Sequence, residues 1–417
     1  MNSRTTVPPG SVHRDPPSGP EKKKVLMMPE GSILAHVGRT RAVADVLEDM
    51  HAGVEFAASG KHTDRLNGPV HDIYSVPRQT IMRRLEGGGS LFRSEDIHRC
   101  VRDEIRVLRS VRPDVVVGDF RPSLSISARH TGIPYVCLVN TMWTTKAAFE
   151  LDPPESWPIT RLLGKSVVRT LQPLVQPVAF LCYAEAFNRV RRLHGLHPLR
   201  DLRDCMADAD LTLLLDLPEL FPVRQLPSHY ECAGPIIWQP DLPVPDWIND
   251  IDDEKPTVYL TMGSTGNGRA PDALARQLIE ADYQVMWTTG GYDPGPDVSA
   301  PDLYLTDYAP GQALCERADV VVCHGGNGTI YQALSRGTPV VGLPGFHDQE
   351  FNMQRVEAVG VGRKVSRAIC VEALCSTVKS VLEDNCYQTN AGQIRKTMGR
   401  WNGPHKAARC IIEASTG

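Results

Sequence analysis

The chain has 417 residues, and at roughly 100–200 residues per domain two domains are expected. Its 45 Lys and Arg against 49 Asp and Glu leave a net charge of -4, which excludes the basic footprint of a nucleic-acid-binding domain. The 11 Cys run from Cys100 to Cys410 without a CxxC pair, so neither a disulfide framework nor a zinc site is indicated, and free thiols fit a reducing cytoplasm.

Residues 1–21 are rich in Pro, Ser and Gly and read as a disordered tail. They lack the apolar centre of a signal peptide, and nowhere is there an apolar run of about 18–20 residues, so no integral membrane span is expected. Order is predicted to begin at Lys24, with the short buried strand Val25-Leu26-Met27-Met28. A helix follows over 36–50, with Val43, Val46, Leu47 and Met50 on one face, and then a strand over 53–58. Strand, Gly-containing loop, helix and strand make a βαβ unit and imply a parallel sheet. The rhythm repeats through a helix over 97–111, a strand over 113–119 ending in Asp119, a helix over 123–131 and a strand over 133–139. Residues 155–200 read as helices broken at Pro173 and Pro177.

Residues 238–256 hold Pro240, Pro243, Pro245 and the acidic run from Asp250 to Glu254, and read as an interdomain linker. The expected division is therefore an N-terminal domain over 22–237 and a C-terminal domain over 257–417. In the second domain the rhythm restarts with a strand over 258–262 leading into Gly263-Ser264-Thr265-Gly266-Asn267-Gly268. Further strands are predicted over 284–288, 303–305, 320–323 and 339–343, and the last helix, over 406–414, could pack back on the first domain. The fold class is α/β: two doubly wound, Rossmann-like domains facing each other across a cleft.

The strand Val320-Val321-Val322-Cys323 runs directly into His324-Gly325-Gly326-Asn327-Gly328-Thr329 and then into a helical stretch. Glycines at a strand-to-helix turn let backbone N–H groups approach an anion, and the helix N-terminus adds a positive dipole end. A diphosphate is the natural guest; an unliganded tight turn is the plainer alternative. Asp348-Gln349 follows the next strand, and such a pair can grip vicinal hydroxyls of a sugar or cap the helix behind it.

Taken together, residues 308–362 resemble the donor-binding signature of family 1 glycosyltransferases, in the bacterial macrolide and antibiotic branch, and the resemblance covers roughly residues 24–410. It implies a GT-B fold and an inverting transfer from a nucleotide diphosphate sugar, linked to UDP or dTDP, to a small lipophilic acceptor such as a polyketide, terpenoid or phenol. The nucleotide sugar is a co-substrate; no cofactor and no metal is implied. Tyr308 takes the place of the Trp that stacks on the base, and Ala309-Pro310-Gly311 replaces the family's x-Pro-Gln. His324, Gly325, Gly326, Asn327, Gly328 and Thr329 match the diphosphate turn. Gln332 stands where a Glu often binds the ribose, and Asp348 and Gln349 match the sugar-binding pair. Ser264 and Thr265 lie in a loop that often touches phosphate or sugar.

The resemblance also implies a base. His36 falls in the loop where the family carries a His, with Arg39 replacing the usual Pro, and Asp119 matches its partner. A neutral His held by an Asp can take the acceptor's proton. Trp143 and Phe149 are the aromatic candidates for the acceptor pocket, within residues 140–187. Two other functions share this fold, a nucleotide-sugar epimerase or hydrolase and a non-catalytic nucleotide-sugar-binding partner protein. The oligomeric state is left open.

Overall fold

The computed structural model describes residues 22–86, 92–263, 271–295, 300–365 and 372–416. Among them, one sheet contains β1 (Lys24–Pro29), β2 (Gly53–Ala57), β3 (Val70–His71), β4 (Val115–Asp119), β5 (Tyr135–Val139), β6 (Leu211–Leu214) and β7 (Tyr230–Cys232). The other contains β8 (Thr257–Thr261), β9 (Gln284–Thr288), β10 (Leu303–Thr306), β11 (Val320–Cys323), β12 (Val340–Gly342) and β13 (Gly362–Lys364). Their spatial orders are β3-β2-β1-β4-β5-β6-β7 and β10-β9-β8-β11-β12-β13, with every pairing parallel.

Apolar runs such as Val-Leu-Met-Met in β1 and Val-Val-Val in β4 suit strands covered on both faces. Side chains alternate between two cores: Val25, Met27 and Val117 enter one, Leu26, Met28 and Val116 the other. The first of these cores also takes Val37, Val43 and Leu47 from the helix Leu34–Asp49. It further receives Ala407, Ala408 and Ile411 from the last helix, Gly403–Ala414. The chain therefore returns to its first domain, where Lys23 Nζ also donates to the Ser415 carbonyl at 3.1 Å.

In each sheet the order reverses beside the first strand, between β1 and β4 and between β8 and β11. Ligands of open α/β sheets bind in the crevice past the carboxyl ends of the strands at such a reversal. The register places Pro29 opposite Asp119 and Cys323 opposite Thr261, so both reversals present their loops at the carboxyl edge.

Two sequence expectations change. Pro173 and Pro177 do not break the chain: one helix runs through both, from Lys165 to Leu193. Each proline removes one helical hydrogen bond, but this stretch is exposed, so water can serve the freed carbonyls of Arg169 and Pro173. The segment 238–256 is also not a free linker. Asp246–Asp250 forms a short 3-10 turn, Trp247, Ile248 and Ile251 join the second domain's core, and Trp238 lies on the first domain's Gly38. A Cβ on Gly38 would stand 2.7 Å from the Trp238 ring, so only glycine fits there.

Candidate active site

In the first domain, the helix Leu34–Asp49, which carries His36 in its first turn rather than in the loop expected from the sequence, meets the end of β4 at the chain reversal. His36 Nδ1 lies 2.7 Å from Asp119 Oδ1. Asp119 is 1% exposed and also accepts from Arg39, at 3.0 Å from Nε to Oδ2 and 2.6 Å from a terminal nitrogen to Oδ1. The same Arg39 nitrogen stands 2.8 Å from His36 Nδ1. Both are donors once Nδ1 carries the proton, and Arg39 then spends its N–H groups on Asp119 and on Asn140 Oδ1 at 2.7 Å. With the proton on Nδ1, that atom donates to Asp119 and Nε2 is left as the basic nitrogen; with the proton on Nε2, Nδ1 accepts from Arg39 instead. Burial alone would raise the Asp119 carboxyl, but Arg39 and His36 together hold it below the ordinary carboxylate range.

Phe120 follows Asp119 with φ of 53°, in the left-handed region that a bulky residue rarely adopts. This turn lays its ring on the His36 imidazole, with centroids 5.0 Å apart and planes 16° from parallel. The strained loop is pegged from behind. Glu104, fully buried in the helix Ser94–Val111, accepts from Arg121 at 2.7 Å, Ser123 at 2.5 Å and Ser127 at 2.7 Å. Trp143 meets Phe120 edge-on at 5.5 Å and His347 of the second domain at 6.1 Å. Phe149 lies against Phe221 and under the Arg355 guanidinium, partly buried at the core between the domains.

In the second domain, His324 follows directly after β11 and is buried between two glycines. A Cβ on Gly263 would come within 2.5 Å of its ring and one on Gly326 within 2.3 Å. Gly325 has φ of 81°, so here the turn needs glycine for conformation as well as room. Burial drives His324 down to about 4, against a weaker upward pull from Asp348, so the ring is neutral near pH 7. The helix Asn327–Arg336 begins at Gly326 with no side-chain cap and no acid in its first turn, which leaves its leading N–H groups without intrahelical partners. Beside them, His324 Nδ1, Asn327 Oδ1 and Asn352 Oδ1 are buried and have no partner among the described residues. The uncapped, positive helix end suits an anionic group, whereas the two amide oxygens can only accept and would serve hydroxyl groups of a ligand.

Other candidates divide. Tyr308 is half-buried, donates its hydroxyl to the Gly290 carbonyl at 3.0 Å and has Arg65 of the first domain 5.9 Å over its ring, while Ala309 beside it is buried. Gln332 Nε2 donates to the Trp238 carbonyl at 2.9 Å, and its Oε1 fills the space at Gly311, where a Cβ would sit 2.4 Å away. The shortening at Gly311 thus makes room for Gln332. Asp348 is half-buried in the first turn of the helix His347–Ala358. Gln349 is buried and its Oε1 accepts from the N–H groups of Gly345 and Phe346 at 2.8 and 3.3 Å, which is the capping alternative; only its Nε2 remains for a ligand. Gly328 and Thr329 lie in the first turn of Asn327–Arg336. Ser264 and Thr265 lie outside the described residues.

The sequence reading missed Phe120, Asn140 and Asp216. Asp216 is 1% exposed and accepts from Asn140 Nδ2 at 2.9 Å and the Thr141 N–H at 2.5 Å in the first domain. From the second domain it accepts from Asn327 Nδ2 at 3.0 Å and the Tyr331 hydroxyl at 3.2 Å. A continuous path therefore runs from His36 through Asp119, Arg39, Asn140 and Asp216 to Asn327 at the glycine turn after β11. Its one local signal was the Asp that follows the apolar stretch 211–215.

The sequence model described as "UDP-glucoronosyl and UDP-glucosyl transferase" matches residues 166–397. A PGL/p-HBAD biosynthesis glycosyltransferase of Mycobacterium tuberculosis is 33% identical over 384 residues, covering 91% of this chain and 89% of the relative. A PGL/p-HBAD biosynthesis rhamnosyltransferase of Mycobacterium bovis is 34% identical over 386 residues, covering 91% and 85%. Among solved structures, the calicheamicin glycosyltransferase CalG4 superposes with a TM-score of 0.70 at 16% identity, covering 94% of this chain and 98% of that one. At that identity the likeness concerns the fold, the GT-B arrangement of two parallel-sheet domains.

Proposed function

Because the chain belongs to the family of UDP-glucoronosyl and UDP-glucosyl transferases and is a glycosyltransferase, we propose that it moves a sugar from a nucleoside diphosphate to a hydroxyl of a small lipophilic acceptor, with inversion. The observation that carries this reading is the hydrogen-bonded path from the His36–Asp119 pair to the uncapped helix start at Asn327. Base and leaving-group site belong to different domains and are held in register by it.

In the proposed reaction, His36 Nε2 takes the acceptor's hydroxyl proton while Nδ1–H stays on Asp119. The acceptor oxygen bonds to the anomeric carbon as the bond from that carbon to the diphosphate oxygen breaks. The diphosphate leaves with the electron pair, and its charge is met by the N–H groups of the helix after Gly326 and by neutral His324. In this reading Asp348 accepts from sugar hydroxyls, and Tyr308 contacts the base. Phe120, stacked on His36, and Trp143, edge-on to Phe120, offer the acceptor an apolar aromatic wall. The rhamnosyltransferase name of one relative favours a deoxyhexose donor, and the glycolipid names of both favour a phenolic or lipid acceptor.

The test is a thermal-shift screen with UDP, dTDP and their sugars. At least one should stabilise the wild type and fail to stabilise Gly326→Ala, whose methyl group collides with His324. If none does so, the donor-site assignment falls. Hydrolysis or epimerisation of the sugar at full rate without an acceptor would favour the epimerase or hydrolase reading.

A further inference from the structure

An apolar stripe lies on the outside of the first domain. Val167, Leu171, Leu174, Val178 and Leu181 follow one another at helical spacings of three and four along Lys165–Leu193 and share one face. All are exposed, Leu174 at 74% and Val178 at 60%. The short helix Pro158–Leu163 before it adds Ile159, Leu162 and Leu163, also exposed. Between Lys165 and Tyr183 only Val168 is buried, so this half of the helix stands off the body. The stripe from 167 to 181 is about 21 Å long at the helical rise of about 1.5 Å per residue.

We propose that this face lies on the surface of an anionic lipid bilayer, with the stripe in the interface and the helix parallel to the membrane plane. Large apolar side chains presented to water in one row mark an interaction surface. Charge selects the bilayer as occupant: residues 156–184 contain Arg161, Lys165 and Arg169 and no Asp or Glu. Asp152 pairs with Lys165 and Arg169 and offsets part of this charge, yet both cations remain well exposed and can snorkel toward lipid phosphates. The N-terminal residues 1–21 hold only Met1, Val7 and Val12 as larger aliphatic side chains, too few to cover the row from within the chain.

The stripe is also joined to the cleft. Gln172, on the same helix, donates to the Leu151 carbonyl at 3.2 Å. Asp152 exchanges hydrogen bonds with Gln354 at 2.7 and 3.0 Å, and Gln354 belongs to the helix that carries Asp348. A chain docked by this face holds the edge of its cleft at the bilayer, so the acceptor class is a lipid-embedded molecule with a polar end. That last step rests on the glycosyltransferase reading; the docking does not.

Flotation of the full chain with vesicles decides the matter. Wild type should bind phosphatidylcholine vesicles containing phosphatidylglycerol, and bind pure phosphatidylcholine more weakly. The double variant Leu174→Glu/Val178→Glu should lose about tenfold or more of the partitioning, while its melting temperature and its response to UDP or dTDP stay as in wild type. A second variant, Arg161→Glu, should reduce binding to the anionic vesicles alone. Wild type that stays unbound, or glutamates that change nothing, overturns the proposal. So does a dimer in sedimentation that Leu174→Glu turns into a monomer, since a second copy would then cover the stripe. Vesicle binding without any response to a nucleotide would leave the docking in place and remove the glycosyltransferase mechanism instead.

Discussion

Asp216 of the first domain and Asn327 of the second are joined by a 3.0 Å hydrogen bond, at the point where the helix Asn327–Arg336 begins. Asp216 is a buried carboxylate with four neutral donors, two from each domain. It fixes the relative placement of the two halves of the site without a cation.

Asp216→Ala should therefore damage both stability and donor binding. Four donors lose their shared acceptor, and a single unsatisfied buried group costs about 1–3 kcal/mol. We expect a loss of roughly 2–4 kcal/mol in urea unfolding and a raised donor KM. The paired measurement with Asn327→Ala should be non-additive, because both changes cut the same link.

His36→Ala and Asp119→Asn should differ in kind. Loss of the base should lower kcat about 100-fold or more and leave UDP or dTDP affinity unchanged. Asp119→Asn should lower kcat similarly, and in addition destabilise the fold by roughly 3–5 kcal/mol, because Arg39 loses its carboxylate. Steady-state kinetics beside calorimetry separate the two.

His324 makes a pH prediction. Burial holds its folded value at about 4, below the ordinary histidine value of 6.5. Between those limits the unfolded chain binds a proton that the folded chain refuses, so stability falls as pH drops from about 6.5 towards about 4. The slope from this group approaches about 1.4 kcal/mol per pH unit at most. Unfolding midpoints of wild type and His324→Gln, compared across that window, should converge as the pH falls.

Gly311 and Gln332 should behave as a matched pair. Gly311→Gln forces a side chain into the place of the Gln332 amide and should cost about 1–3 kcal/mol, the usual scale of overpacking. Gly311→Gln with Gln332→Ala should recover most of that loss. Thermal melts of the two single variants and the double variant check it.

The two domains and the glycine turn after β11 were legible in the sequence because their signals are local. A buried parallel strand is a short apolar run, and Val320–Cys323 with the glycines after it states strand, turn and helix start within a dozen residues. His36 and Asp119 were named through resemblance, but their contact spans 83 residues and exists because β1 and β4 are neighbours at the reversal of strand order. Nothing near Phe120 announces its left-handed backbone, which the Glu104–Arg121 anchor imposes from another helix. Gln349 could cap a helix or hold a sugar on sequence grounds, and only the position of Gly345 and Phe346 directed its oxygen to the cap. Asp216, Asn140 and the surroundings of Phe149 depend on how one domain docks on the other. Periodicity and turn chemistry are written residue by residue, whereas which loops meet is decided by sheet order and domain packing, and those are properties of the whole chain.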